Sequence, residues 1–219
     1  MSQLIFKFPF KTKYFEQDFY VSNNNFSAFK LIESWPNWPG KWLNIFGEQG
    51  SGKTHLTSIL EKKIGNTKVI DAINTNDKLV GKLENYKCLI IENYKNNIDE
   101  KLLYSILNQS KQLENYVLIN SIDPINKNKF KLSDLMSRIN SFILIGIELP
   151  TDDLLKVIIS KSLSDKQINL SPKISDFIIK NVDRSYTKIF KFLKDVDELS
   201  LSSGKSININ LIKKVLKNE

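Results

Sequence analysis

Residues 47–54 read Gly47-Glu48-Gln49-Gly50-Ser51-Gly52-Lys53-Thr54, and this stretch constrains the fold more tightly than any other. Every fixed position of the Walker A pattern is filled. Its glycines let the backbone turn sharply and aim several N–H groups into one concavity. An apolar run, Trp42–Phe46, precedes the loop, and a helical pattern, Lys53–Ile64, follows it. That strand-turn-helix context is what a phosphate cradle requires, because the helix adds the positive end of its dipole. In such a loop the lysine, Lys53, reaches the β- and γ-phosphates of a nucleotide, and the Thr54 hydroxyl holds Mg2+.

The rest of the chain alternates in the same way. Further apolar runs at 67–71, 87–91, 116–119 and 142–147 are separated by helical patterns at 77–83, 99–114 and 132–139. Strands with continuous apolar cores, alternating with helices, predict a five-stranded parallel sheet covered on both faces. After Pro150 the pattern is helical only. Thr151 is placed to cap a helix with Asp152 and Asp153 in its first turn. Ser171-Pro172 opens a second helix, residues 185–202 form a third, and 210–216 a short fourth. The expected organisation is an irregular leader at 1–40, a nucleotide-binding core at 41–150 and a helical lid at 151–219.

A phosphate loop needs a second element, an apolar strand ending in an acid near the Mg2+. Cys88-Leu89-Ile90-Ile91-Glu92 is such a strand, and Glu92 is the candidate Mg2+ partner, directly or through water. The next residue is Asn93, which cannot take a proton from water, so intrinsic hydrolysis should be weak. His55, the one histidine, follows the loop on its helix and reads as a local packing or hydrogen-bonding residue. Cys88 reads as core. Trp35, Trp38 and Trp42 read as packing between leader and core.

The net charge is +8, which raises the question of a nucleic-acid surface. Among 32 basic residues only Arg138 and Arg184 are arginines, and the lysines are spread along the chain. Specific base readout relies heavily on arginine, so the charge reads as compositional drift, and direct DNA binding is expected to be weak or absent. No apolar run approaches the roughly 20 residues of a membrane span. A single cysteine allows no internal disulfide and makes a reducing cytoplasm the default compartment.

Several segments resemble the DnaA family of AAA+ proteins. Gly52-Lys53-Thr54-His55-Leu56 is similar to its GKTHL, and Asp18-Phe19-Tyr20-Val21-Ser22 with Asn25 and Ala28 to the box upstream. Leu135-Met136-Ser137-Arg138 resembles the segment bearing the family's arginine finger. Asp123-Pro124 is similar to the sensor-one turn, which puts Asn120 or Ser121 at the sensor position, and Val182-Asp183-Arg184 resembles the start of the lid helix bearing sensor two. The peptide Gln3-Leu4-Ile5-Phe6-Lys7-Phe8 looks like the segment that Hda-type members dock into the sliding clamp, with phenylalanines at 6 and 8 in place of the commoner leucines. The chain ends at Glu219, with no counterpart of an initiator's DNA-binding domain, which also favours the Hda branch. Glu92 departs from the usual aspartate.

The resemblance implies a P-loop NTPase of the AAA+ type with a C-terminal helical lid, binding ADP or ATP with Mg2+. Residues 47–55 and Arg184 would hold the nucleotide, Thr54 and Glu92 the metal. Asn120 or Ser121 would sense the γ-phosphate or its water, and Arg138 would project toward a nucleotide bound by a neighbour. It further implies a regulator of replication initiation whose partners are DnaA and, through Gln3, Leu4, Phe6 and Phe8, the sliding clamp. Self-association is compatible with it. An autonomous ATPase or loader, and a DNA-binding initiator accessory, are the alternatives.

Overall fold

A computed structural model describes residues 18–165, 168, 170–204 and 206–217. It divides into two compact units, one ending at Glu148 and the other running from Leu149 onward.

The first unit is built on five parallel strands: β1 (Trp42–Phe46), β2 (Thr67–Asp71), β3 (Cys88–Tyr94), β4 (Tyr116–Ser121) and β5 (Ile143–Gly146), in the order β2-β3-β4-β1-β5. Helices α1 (Phe26–Glu33) and α2 (Lys53–Ile64) lie in one apolar layer with Leu43, Ile45, Cys88, Ile90 and Leu118. The short α3 (Asp77–Val80), α4 (Glu100–Gln112) and α5 (Ser133–Ile139) lie in the other, with Leu89, Ile91, Val117 and Ile119. Successive residues of β3 therefore alternate between the two cores, as the pleat dictates. Both faces are covered, and this is why the inner strands β1, β3 and β4 are mostly apolar.

Among the described residues of the leader, Phe26–Glu33 are helical. This helix, α1, buries Ala28 and Ile32. The tryptophans pack as expected: Trp35 and Trp38 stand edge-on to Tyr116, and Trp42 meets Phe142. Strand β3 runs further than its apolar run, to Tyr94, through an irregularity between Ile91 and Tyr94.

The second unit holds α6 (Asp152–Ser164), α7 (Pro172–Asn181), α8 (Tyr186–Ser203) and α9 (Ile209–Leu216). The Thr151 hydroxyl accepts from the Leu154 N–H and caps α6. Leu155, Ile159, Ile178, Ile189, Phe192, Leu193, Val196 and Ile212 make its separate core. Among the described residues no helix is long and apolar enough to cross a membrane.

Candidate functional site

The phosphate loop leaves the end of β1, the strand flanked by β4 and β5. Its first residue is fastened on both sides. The Gly47 N–H donates to the carbonyls of Ser121 and Ile122 (3.2 and 3.0 Å), and the Ile147 N–H donates to the Phe46 carbonyl (2.8 Å). A Cβ at position 47 would stand 2.8 Å from the Ile147 carbonyl oxygen, so only glycine fits. Gly52, at φ +98°, opens α2 from the left-handed region, and a Cβ there would press on the Phe19 ring at 3.1 Å. Phe19 itself stacks on Phe29 and meets the edge of His55. His55 thus belongs to an aromatic packing group beside the loop.

Lys53 bends back over the loop. Its Nζ donates to the carbonyls of Gly47 (2.7 Å) and Glu48 (2.9 Å). Burial lowers the pKa of this ammonium, while the charges of Glu92 and then Glu48 pull it up. A partly desolvated cation among loop carbonyls gains most from an anion brought into the same cradle.

Beneath the loop, three sequence-predicted residues come together. The Thr54 hydroxyl donates to Glu92 Oε2 (3.2 Å), and Asn120 Nδ2 donates to the same oxygen (3.0 Å). Glu92 and Asn120 are both buried. A hydroxyl that gives its proton to a carboxylate keeps its oxygen lone pairs for a cation. The Asn120 Oδ1 is buried with no partner of its own, an acceptor suited to a water or a bound phosphate's solvent. The donor set, a glycine cradle with a lysine, then hydroxyl and carboxylate, fits a nucleotide with Mg2+. Thr54 and Glu92 would hold the metal, Glu92 directly or through a water.

The pair Asn120 and Ser121 divides its work. Ser121 Oγ accepts from Asn44 Nδ2 (2.8 Å) and donates to the Asp123 carbonyl (2.6 Å). Asn44, fully buried, also donates to the Ile119 carbonyl and accepts from the Ile125 N–H. Ser121 thus braces the turn after β4, and Asn120 is the one that faces Glu92. Asn44 escaped sequence reasoning, although a lone amide inside an apolar strand was its signal. Thr57 escaped as well. It donates to Glu92 Oε1 at 2.6 Å from the next turn of α2.

Asn93 joins none of this. At φ +58° it turns its amide to Asp71 Oδ2 (2.6 Å) on the neighbouring strand. Arg138, on α5, does not stand free in solvent. It is half-buried, Nη2 donates to Asn108 Oδ1 on α4 (3.0 Å), and Nε is enclosed without an acceptor. The packing of α5 along α4 is the reason. In the second unit Arg184, between α7 and α8, forms an exposed ion pair with Asp152 at the start of α6 (2.7 Å). Gln3, Leu4, Phe6 and Phe8 lie outside the described residues.

This sheet order, loop and helical second unit define a P-loop protein of the AAA+ class. Domain III of the Thermotoga maritima replication initiation protein DnaA superposes with a TM-score of 0.75 at 17% identity, over 96% of this chain and 98% of that one. AMPPCP-bound DnaA from Aquifex aeolicus gives 0.69 at 20% identity, over 95% and 71%. In sequence, the chromosomal replication initiator protein DnaA of Buchnera aphidicola subsp. Baizongia pistaciae is 28% identical over 243 aligned positions, covering 99% of this chain and 53% of the relative. The chain spans about half the length of the curated initiators it matches. Residues 152–216 match the family model described as "Hda, lid domain". The chain thus resembles DnaA-related AAA+ proteins over most of its length and Hda over residues 152–216.

Proposed function

We propose that this protein binds ADP or ATP with Mg2+ at residues 47–54 and regulates replication initiation in the cytoplasm. In this reading it docks on ATP-bound DnaA and, together with the DNA-loaded sliding clamp, stimulates hydrolysis of the partner's ATP. The observation that supports it most is the Thr54–Glu92–Asn120 cluster beneath a complete phosphate loop, in a chain whose second unit matches the Hda lid. That cluster has the parts to hold a nucleotide but lacks an acid after Glu92 to activate water. Binding without fast turnover suits a regulator whose substrate nucleotide belongs to a neighbour. Arg138 would supply charge to that neighbour's phosphates, where a planar fork matters, and Arg184 would contact the chain's own nucleotide. Gln3, Leu4, Phe6 and Phe8 would seat an extended peptide in the clamp. The test is hydrolysis of DnaA-bound ATP with this protein added, with clamp loaded on DNA or omitted. Stimulation that needs both is expected. Fast ATP turnover by the protein alone would favour an autonomous ATPase.

A further inference from the structure

A glutamate stands where an aspartate would be the shorter fit, and the structure supplies the reason. The Glu92 carboxylate, one methylene further from its strand, reaches past Thr54 to the next turn of α2. There Thr57 Oγ1 donates to Oε1 at 2.6 Å, while Oε2 takes Thr54 and Asn120. Thr54 and Thr57 lie three residues apart on one face of the helix, so both hydroxyls can serve one carboxylate. Thr57 is 2% exposed and Glu92 8%. The Thr57 proton has a second acceptor within reach, the Thr54 carbonyl at 3.0 Å, but the shorter bond to the charged oxygen is the stronger one.

We infer that Thr57 is a positioning residue for Mg2+: by holding Glu92 Oε1 it presents Oε2 to Thr54, and so orients the Thr54 oxygen toward the metal of a bound nucleotide. The inference rests on the nucleotide-binding reading above. Without the Thr57 hydroxyl, Oε1 is left buried and unpaired. The carboxylate then rotates to share its remaining donors, and Thr54 loses its fixed direction. Hydrogen-bonded partners of metal-holding groups commonly matter in this way, and removing one typically costs about 10-fold or more in metal affinity.

The test measures ADP affinity by calorimetry in chelator and across a Mg2+ titration, for the parent, Thr57→Val and Thr57→Ser. Thr57→Val should leave metal-free ADP binding within about 2-fold of the parent, and weaken the Mg2+-dependent gain about 10-fold. Thr57→Ser, which keeps the hydroxyl, should restore the Mg2+ response. An unchanged Mg2+ response in Thr57→Val would overturn the inference. So would an equal loss with and without metal, because that is what mere support of α2 would produce. If the parent bound no ADP even in chelator, the nucleotide reading would fall first and this inference with it.

Discussion

The Asn93 amide donates to the Asp71 carboxylate at 2.6 Å, tying the end of β3 to the end of β2. The pair places an acid and an amide side by side, with the acid on the strand away from the phosphate loop. The bond to Asn93, then that from the Ile73 N–H, holds the Asp71 carboxyl below its ordinary range. A depressed carboxyl pKa contributes stability above the unfolded value, lost as pH falls through the folded one. Because the Asp71 carboxylate is only partly buried, that contribution is small.

Asn93→Asp is therefore expected to fail as a simple repair of hydrolysis. It sets two carboxylates against each other, and one of them must take up a proton or separate. The pKa of that pair rises, so the variant should lose stability as pH climbs above about 4, the ordinary aspartate value. The exchange Asp71→Asn with Asn93→Asp restores one donor and one acceptor and leaves an acid after Glu92. It should melt like the parent and turn over ATP faster than either single variant. Thermal unfolding across pH and steady-state ATP turnover check both statements.

Lys53→Ala should weaken ADP binding by roughly 10–100-fold, the equivalent of one or two charge-assisted hydrogen bonds. The fold should survive, since among the described residues Lys53 bonds to loop carbonyls and the Ser51 hydroxyl. Calorimetry on the folded variant gives the answer, and parent-like affinity would contradict the proposed cradle.

Arg138→Ala is expected to abolish stimulation of DnaA-bound ATP hydrolysis while ADP binding stays at the parent level. Arginine fingers contribute on the order of 10³–10⁵ in rate. The lost bond to Asn108 should cost only about 1 kcal/mol in stability. Arg138→Lys should rescue little, because the fork is lost. Arg184→Ala should instead weaken the chain's own nucleotide binding, and its exposed pair with Asp152 predicts a stability change below about 1 kcal/mol. Parallel stimulation, binding and melting measurements separate the two arginines.

Cys88 lies fully buried at the start of β3, and burial pushes its thiol pKa up to about 12. The thiolate, not the thiol, is the reactive form. A thiol reagent at pH 8 should label Cys88 only as fast as the protein unfolds, so labelling should accelerate sharply near the denaturant midpoint. Immediate labelling of the native protein would show that β3 is not packed as described.

What could be read in the chain was what is local. The phosphate loop is eight consecutive residues, and the apolar periods located all five strands and most helices. Boundaries slipped where backbone geometry departs from periodicity. β3 continues past Glu92 because Asn93 takes a left-handed turn within the strand, and α1 begins behind Asn25 without a side-chain cap to announce it. The contacts that complete the site were not legible. Thr57 meets Glu92 across 35 residues, Arg138 meets Asn108 across 30, and Asn93 meets Asp71 across 22. Each depends on which helix or strand becomes a neighbour, and no spacing in the chain encodes that. Asn120 and Ser121 stood as equals in sequence, and only the direction of the pleat separates them.

The Gly47 amide is sewn to the end of β4, while Phe46 before it is sewn to Ile147 past the end of β5. The loop therefore starts from a knot of three strand ends and is not a flap on a hinge. A nucleotide that differs by one phosphate has little backbone to push at that point. Its difference has to be written in torsions, in which way a hydroxyl or the Asn120 amide faces. Such a switch is silent in an overlay of main chains, and it would speak first in the exchange of a few side-chain protons.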